Sequence, residues 1–231
     1  MQRRDHRFLA TAAVGLFGFG IACHRGADAP DQARAGDHDR ALEELRETTL
    51  VLKEMSIPKD QRDKARCVVV VPSFLSGGLL LGARHGRGVV ACRTDTGWSG
   101  PAFVTVSGGS AGLQAGFESA DVVMLVTSER GVGKLFRSSF ELGGDTSVAA
   151  GPSGTERQAS TDETMTSEIV TYARARGLFA GVQLTGAVVR QDRAAALALY
   201  GGAPTIQTIL VGGVAPPTEA GAFVQELQRA F

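Results

Sequence analysis

From Arg66 onward the chain is written as short apolar runs cut by glycine: Cys67 to Val71, Leu79 to Leu81, Val89 to Cys92, Ala102 to Val106 and Val122 to Thr127. Valine fills several of them, and a β-branched side chain suits a pleated backbone better than a helix. Glycine, proline or serine bounds most of the runs, so they predict strands at short spacing, chiefly antiparallel. Glycine accounts for 30 of 231 residues, roughly twice its usual share. It comes as GG and GxG pairs without a collagen-like period, which predicts a sheet with many tight turns and bends. A chain of this length supports one principal core and a tail rather than two full domains. With 43% hydrophobic and 21% charged residues, neither a disordered chain nor a polytopic membrane protein fits. The balance of 24 basic and 24 acidic residues argues against a nucleic-acid binder.

The first residues read as an address. Arg3, Arg4 and Arg7 precede an uncharged stretch from Phe8 to Ala22, followed by Cys23 and a polar segment. This is the layout of a secretory signal, and at 15 residues the apolar stretch falls short of the roughly 20 a spanning helix needs. Gly20-Ile21-Ala22-Cys23 resembles the lipobox of bacterial lipoproteins, apart from Gly20 where leucine is usual; the alternatives are plain secretion and a retained anchor. The resemblance makes Cys23 the acylated first residue of the mature chain, and His24 after it favours the outer membrane. Residues 1–22 are then a signal peptide, 23–37 a flexible tether, and 38–231 the folded domain. The mature chain keeps 21 basic and 23 acidic residues, so attraction to an anionic surface has to be local.

Within the domain, Leu42, Leu45, Leu52 and Met55 recur at helical spacing between Asp39 and Met55, with Pro58 closing the segment, predicting an amphipathic helix that packs its leucine stripe on the domain; a membrane-surface role is the alternative, disfavoured by its acidic polar face. Residues 160–189 admit two readings. Ser160 with Glu163 forms a capping-box pattern, and Met165, Ile169 and Tyr172 fit a helix. Ile169 to Tyr172 and Phe179 to Leu184, on either side of the turn at Arg174 to Gly177, fit a hairpin, and the hairpin is the reading adopted. Thr205 to Val211 is expected to be a last strand, and Pro217-Thr218 opens a final helix with Phe223, Leu227 and Phe231 on one side.

Catalytic signatures fail on inspection. Gly108-Gly109-Ser110-Ala111-Gly112 matches the G-x-S-x-G nucleophile elbow, but no histidine follows Ser110 to act as its base, so it reads as a glycine-rich turn. Gly131-Val132-Gly133-Lys134 lacks the Ser or Thr that would bind Mg²⁺, because Leu135 stands there. Asp95 and Glu118 have no evident partners, Asp121 at a strand entry reads as a turn or cap, and no zinc spacing occurs. No catalytic residue, metal or cofactor is therefore assigned. Cys67 and Cys92 pair in an oxidising compartment if their strands are neighbours, and otherwise remain two buried thiols.

Between Lys64 and Thr94 the charged residues are Lys64, Arg66, Arg84, Arg87 and Arg93, with no Asp or Glu, and the helix before them is acidic. Arginine beside glycine suits phosphate, because the guanidinium fork donates two hydrogen bonds while glycine lets backbone N–H groups approach. The competing reading has the same arginines paired to the acidic helix or dispersed on a solvated face. Trp98 is either an interfacial ring or a packing anchor.

Several blocks in register resemble the SYLF, or Ysc84-type, domain over about residues 48–202. They are Cys67-Val68-Val69-Val70-Val71-Pro72, Gly82 to Arg93, Gly97-Trp98-Ser99-Gly100-Pro101-Ala102-Phe103, Gly112-Leu113-Gln114-Ala115-Gly116, Ala120-Asp121-Val122-Val123, Ala149-Ala150-Gly151-Pro152, and Tyr172 through Gly177 to Val182. Relatives usually read G-G-R-G-G-R-G where this chain has Gly82-Ala83-Arg84-His85-Gly86-Arg87-Gly88. The resemblance implies lipid binding, with phosphoinositides as ligands and actin as a further partner in some eukaryotic members, and no catalytic residues. The expected protein is thus an α+β domain, a strongly bent, mainly antiparallel sheet or partial barrel with N-terminal and C-terminal helices. It is expected to bind anionic phospholipid non-catalytically through Lys64, Arg66, Arg84, Arg87 and Arg93, at the periplasmic face of the outer membrane. The alternative is an envelope scaffold whose lipid anchor only holds it in place, with its protein partner unspecified.

Overall fold

The computed structural model describes residues 29–78, 81–111, 116–144, 148–150, 168–175 and 184–231. Two helices, α1 (Ala29–Glu54) and α2 (Lys59–Lys64), lead into β1 (Cys67–Gly78), β2 (Leu81–Thr94), β3 (Gly97–Trp98), β4 (Ala102–Ala111) and β5 (Gly116–Val126). Then come α3 (Glu129–Leu135), β6 (Ser139–Glu141), β7 (Val148–Ala150), β8 (Ile169–Ala175) and β9 (Val188–Gln191). The chain closes with α4 (Arg193–Tyr200), α5 (Ile206–Leu210), a 3₁₀ turn (Thr218–Ala220) and α6 (Gly221–Ala230).

Eight strands lie in the order β6-β9-β4-β2-β1-β5-β8-β7, with β3 added against β2. Every pairing is antiparallel except β7 with β8. The fold is α+β, and the sheet stays open instead of closing into a barrel. Its central strands are apolar without alternation because both faces are covered, the condition that produces continuous hydrophobic runs. Val68, Val70, Val89, Phe103, Val123 and Leu125 pack with Leu45 and Leu52 of α1, Leu199 of α4 and Phe223 and Leu227 of α6. Val69, Val71, Phe74, Val104 and Met124 face the other way, against Leu135 of α3 and Ile206, Ile209 and Leu210 of α5.

Three expectations change. Helix α1 starts at Ala29, so residues 29–37 are helical and not a tether. Pro30 in the first turn and the alanines, glutamine and arginine after it favour helix without any apolar periodicity. Residues 206–210 form helix, not strand: the Thr205 hydroxyl accepts from the Thr208 N–H as an N-cap, and Ile206, Ile209 and Leu210 bury one helical face. Finally, Leu81, read as the end of a short run of its own, opens the long strand β2, whose Gly82 opposes Gly78 of β1; residues 79 and 80 lie outside the described residues. Ile169 to Tyr172 does form strand, paired with β5 and β7; the other arm of the expected hairpin, up to Gln183, lies outside the described residues, as do residues 1–28.

Strand β1 is interrupted between Val71 and Phe74, where Ser73 adopts a left-handed backbone with φ 48°. Gly86 and Gly88 face this irregularity from β2. A methyl group at Gly88 would lie 2.5 Å from the Val70 carbonyl oxygen and 2.7 Å from Val71 Cγ2. Gly88→Ala is therefore expected to destabilise the fold by about 1–3 kcal/mol, read as a lower urea midpoint at unchanged slope.

Candidate functional site

The Gly82 to Gly88 block is strand, and this decides where its arginines go. Side chains alternate across a strand, so Arg84 and Arg87, three residues apart, point to opposite faces. Arg84 is 8% exposed and its Nη2 donates to the carbonyls of Gly109 at 2.7 Å and Thr185 at 3.2 Å; burial pushes its pKa down. Arg87 lies on the helix side, close enough to the Glu44 carboxyl of α1 to pull against its raised pKa. The other three cations gather at the opposite end of β1 and β2, where Arg93 donates its backbone N–H to the Arg66 carbonyl and its Nε to Ala65. Nine residues of strand at about 3.3 Å each put Arg93 about 30 Å from Arg84. Lys64 and Arg66 are exposed, Arg66 beside Glu129 at 3.3 Å. Arg93 also donates to the Phe231 carbonyl at 2.7 Å and lies 5.0 Å from the ring centre of Trp98. The five cations thus do not share one phosphate-sized recess.

Trp98 is 7% exposed and meets Phe231 edge-on at 5.7 Å, so it anchors the end of α6 to the sheet. Cys67 and Cys92 face each other across β1 and β2 and form a disulfide. Ser110 lies in β4 opposite Gly82, and the next described element is strand β5, so the strand-turn-helix of a nucleophile elbow is not formed. Asp121 is no turn residue: it is fully buried inside β5, accepting from the Ser73 N–H at 3.1 Å and from Arg174 Nη2 at 2.8 Å. Among the described residues no three His, Cys, Asp or Glu side chains gather to hold a metal, and no helix is long and apolar enough to cross a membrane.

Two features of this surface were not read from the sequence. The first is a polar strip beneath α1, where Glu44 and Thr48, one turn apart, are both buried and, among the described residues, keep a side-chain oxygen without a hydrogen-bond partner. Burial, and then Asp192, push the Glu44 pKa up to about 8, against the opposing pull of Arg87. An unfolded glutamate ionises near 4.5, so between these two values the folded chain holds a proton that the unfolded chain has released. Stability is then complete below about pH 4.5, falls with rising pH by up to about 1.4 kcal/mol per pH unit, and levels off above about 8. Glu44→Gln is expected to flatten that decline, measured by urea unfolding from pH 5 to 9.

The second feature is an apolar cleft of about 550 Å³ between α1 and the start of α6, within the roughly 300–1,000 Å³ range of ligand sites. Leu45 and Phe223 are buried in its lining. Leu42, Leu50 and Ala222 also line it, and Leu50 is 55% exposed. Arg46 and Glu219 supply the charge, one from each side. The leucine spacing of α1 is visible in the sequence, but the cleft exists only because α6 returns beside it.

Residues 107–230 match the family model for Ysc84, described as a Las17-binding protein and actin regulator. The chain belongs to the Ysc84 family. Among its relatives, LAS seventeen-binding protein 3 of Saccharomyces cerevisiae is 33% identical over 76% of this chain and 39% of its own length. SH3 domain-containing YSC84-like protein 1 of Xenopus laevis is 31% identical over 77% of this chain and 57% of its own. A Schizosaccharomyces pombe SH3 domain-containing protein is 36% identical over 66% of this chain and 36% of its own. The chain therefore spans less than two thirds of the length of each. The family description and the name of the first of these relatives record binding and regulation, not catalysis.

Proposed function

We propose that this Ysc84-family chain is a non-catalytic binding module that takes a glycerophospholipid into the cleft between α1 and α6. Cys23, as the acylated residue, would hold it at the periplasmic face of a bacterial outer membrane. The observation that carries this reading is the cleft itself, an apolar trough on a helical surface with one cation at its edge. An alkyl chain gains about 0.8 kcal/mol for each CH₂ it buries, and Arg46 is positioned to meet the phosphate above it. An anionic head group was expected from five convergent cations. Arg84 is spent on backbone carbonyls and Arg93 on the chain end, so head-group choice falls to the rim of the cleft.

A second reading, a scaffold that recruits a protein, is favoured by relatives whose names record Las17 binding. Vesicle flotation of the Cys23→Ala chain separates the two. Lipid uptake predicts co-flotation with phospholipid vesicles that falls several-fold with Leu50→Asp. A chain that stays at the bottom of the gradient with every vesicle composition supports the scaffold.

A further inference from the structure

We infer that the α1–α6 cleft selects a phospholipid whose head group carries a primary ammonium, with its phosphate on Arg46 and its ammonium on Glu219. This rests on the phospholipid reading and specifies the ligand of the same site. The two charges stand on different elements, Arg46 on α1 and Glu219 on the 3₁₀ turn that leads into α6, and both line one cleft. Among the described residues Arg46 meets only Glu43, at 3.3 Å with both side chains more than 60% exposed, a pair too solvated to hold the guanidinium against a phosphate. Glu219 is exposed, and among the described residues no side-chain hydrogen bond or ion pair engages it.

The lining between them is apolar, and the Thr49 hydroxyl already donates to the Leu45 carbonyl at 2.7 Å, so the trough takes an alkyl chain and leaves polar recognition to its edges. A head group whose only charge is its phosphate satisfies Arg46 and leaves Glu219 without a cation. A zwitterion satisfies both. A primary ammonium adds N–H donors that a carboxylate accepts as charge-assisted hydrogen bonds, which a quaternary ammonium has none of.

The test incubates the full chain carrying Cys23→Ala with phosphatidylcholine vesicles containing either phosphatidylethanolamine or phosphatidylglycerol, and reads the retained lipid by native mass spectrometry. Phosphatidylethanolamine is expected to be retained over phosphatidylglycerol and phosphatidylcholine. Glu219→Gln is expected to lower that preference about three- to fivefold, what one rim ion pair commands, while Arg46→Gln lowers retention of all three lipids. Both positions are exposed, so neither variant threatens folding. Equal retention of all three lipids, unaffected by Glu219→Gln, overturns the head-group assignment and leaves phospholipid binding standing. No retained lipid of any class overturns both, and a lipid-free dimer in the same spectrum would give the cleft to a second copy of the chain.

Discussion

Arg174→Ala is expected to lower stability by about 3–5 kcal/mol, the usual result of removing one member of a buried ion pair. Asp121 is completely buried, and Arg174 Nη2 reaches it at 2.8 Å. The same carboxylate accepts the N–H of Ser73, whose left-handed backbone marks the break in β1. One ion pair therefore fixes β8 to β5 and holds the irregular turn of the neighbouring strand. Arg174 also meets Glu54 at the end of α1, at 2.6 Å, but there both side chains are more than a third exposed. Glu54→Gln should accordingly change stability by less than about 1 kcal/mol. Asp121→Asn keeps an acceptor for Ser73 and loses the charge, so its effect should fall between the two. Urea unfolding of the three variants checks the order, and an Arg174→Ala midpoint matching that of Glu54→Gln would show that Asp121 does not depend on the guanidinium.

The second large effect belongs to the disulfide. Cys67 and Cys92 are separated by 25 residues, and closing a loop of that size in the unfolded chain stabilises the fold by about 3.5 kcal/mol on the chain-entropy model. Replacing both with alanine should lower the melting temperature by about 10 °C, at about 2–4 °C for each kcal/mol in a protein of this size. Both cysteines are at most 4% exposed, so reductant reaches the bond only when the sheet opens. Reduction is expected to be slow in buffer and to accelerate with urea in step with unfolding; fast reduction without denaturant would place the bond on an opening far smaller than the global one.

Much of the sheet was legible because its signal is local. Valine-rich runs bounded by glycine became β1, β2, β4 and β5, and Pro217-Thr218 opened the C-terminal helical segment as its composition required. The errors fell where a local signal is ambiguous or misleading. Thr205 to Val211 carries β-branched residues, yet the Thr205 cap and the i, i+3, i+4 spacing of Ile206, Ile209 and Leu210 prevailed, since that face finds the core only as a helix. The first turns of α1 were hidden because they have little apolar pattern to show. Gly82 to Gly88 reads as pliant backbone beside arginine, suited to phosphate, but Gly86 and Gly88 are small because Val70, Val71 and Phe74 lie against them.

The amino-acid order alone determined the class of fold, the position of its central strands and the kinship to Ysc84, because strand propensity, turn residues and motif spacing are written over a few consecutive positions. Only the tertiary structure decided what the charged side chains do. Strand parity sends Arg84 and Arg87 to opposite faces, the sheet's length separates Arg84 from Arg93, and the return of α6 beside α1 creates a cleft flanked by Arg46 and Glu219. A binding site is a coincidence of residues distant in the chain, and such coincidences are fixed by packing rather than by any stretch of sequence.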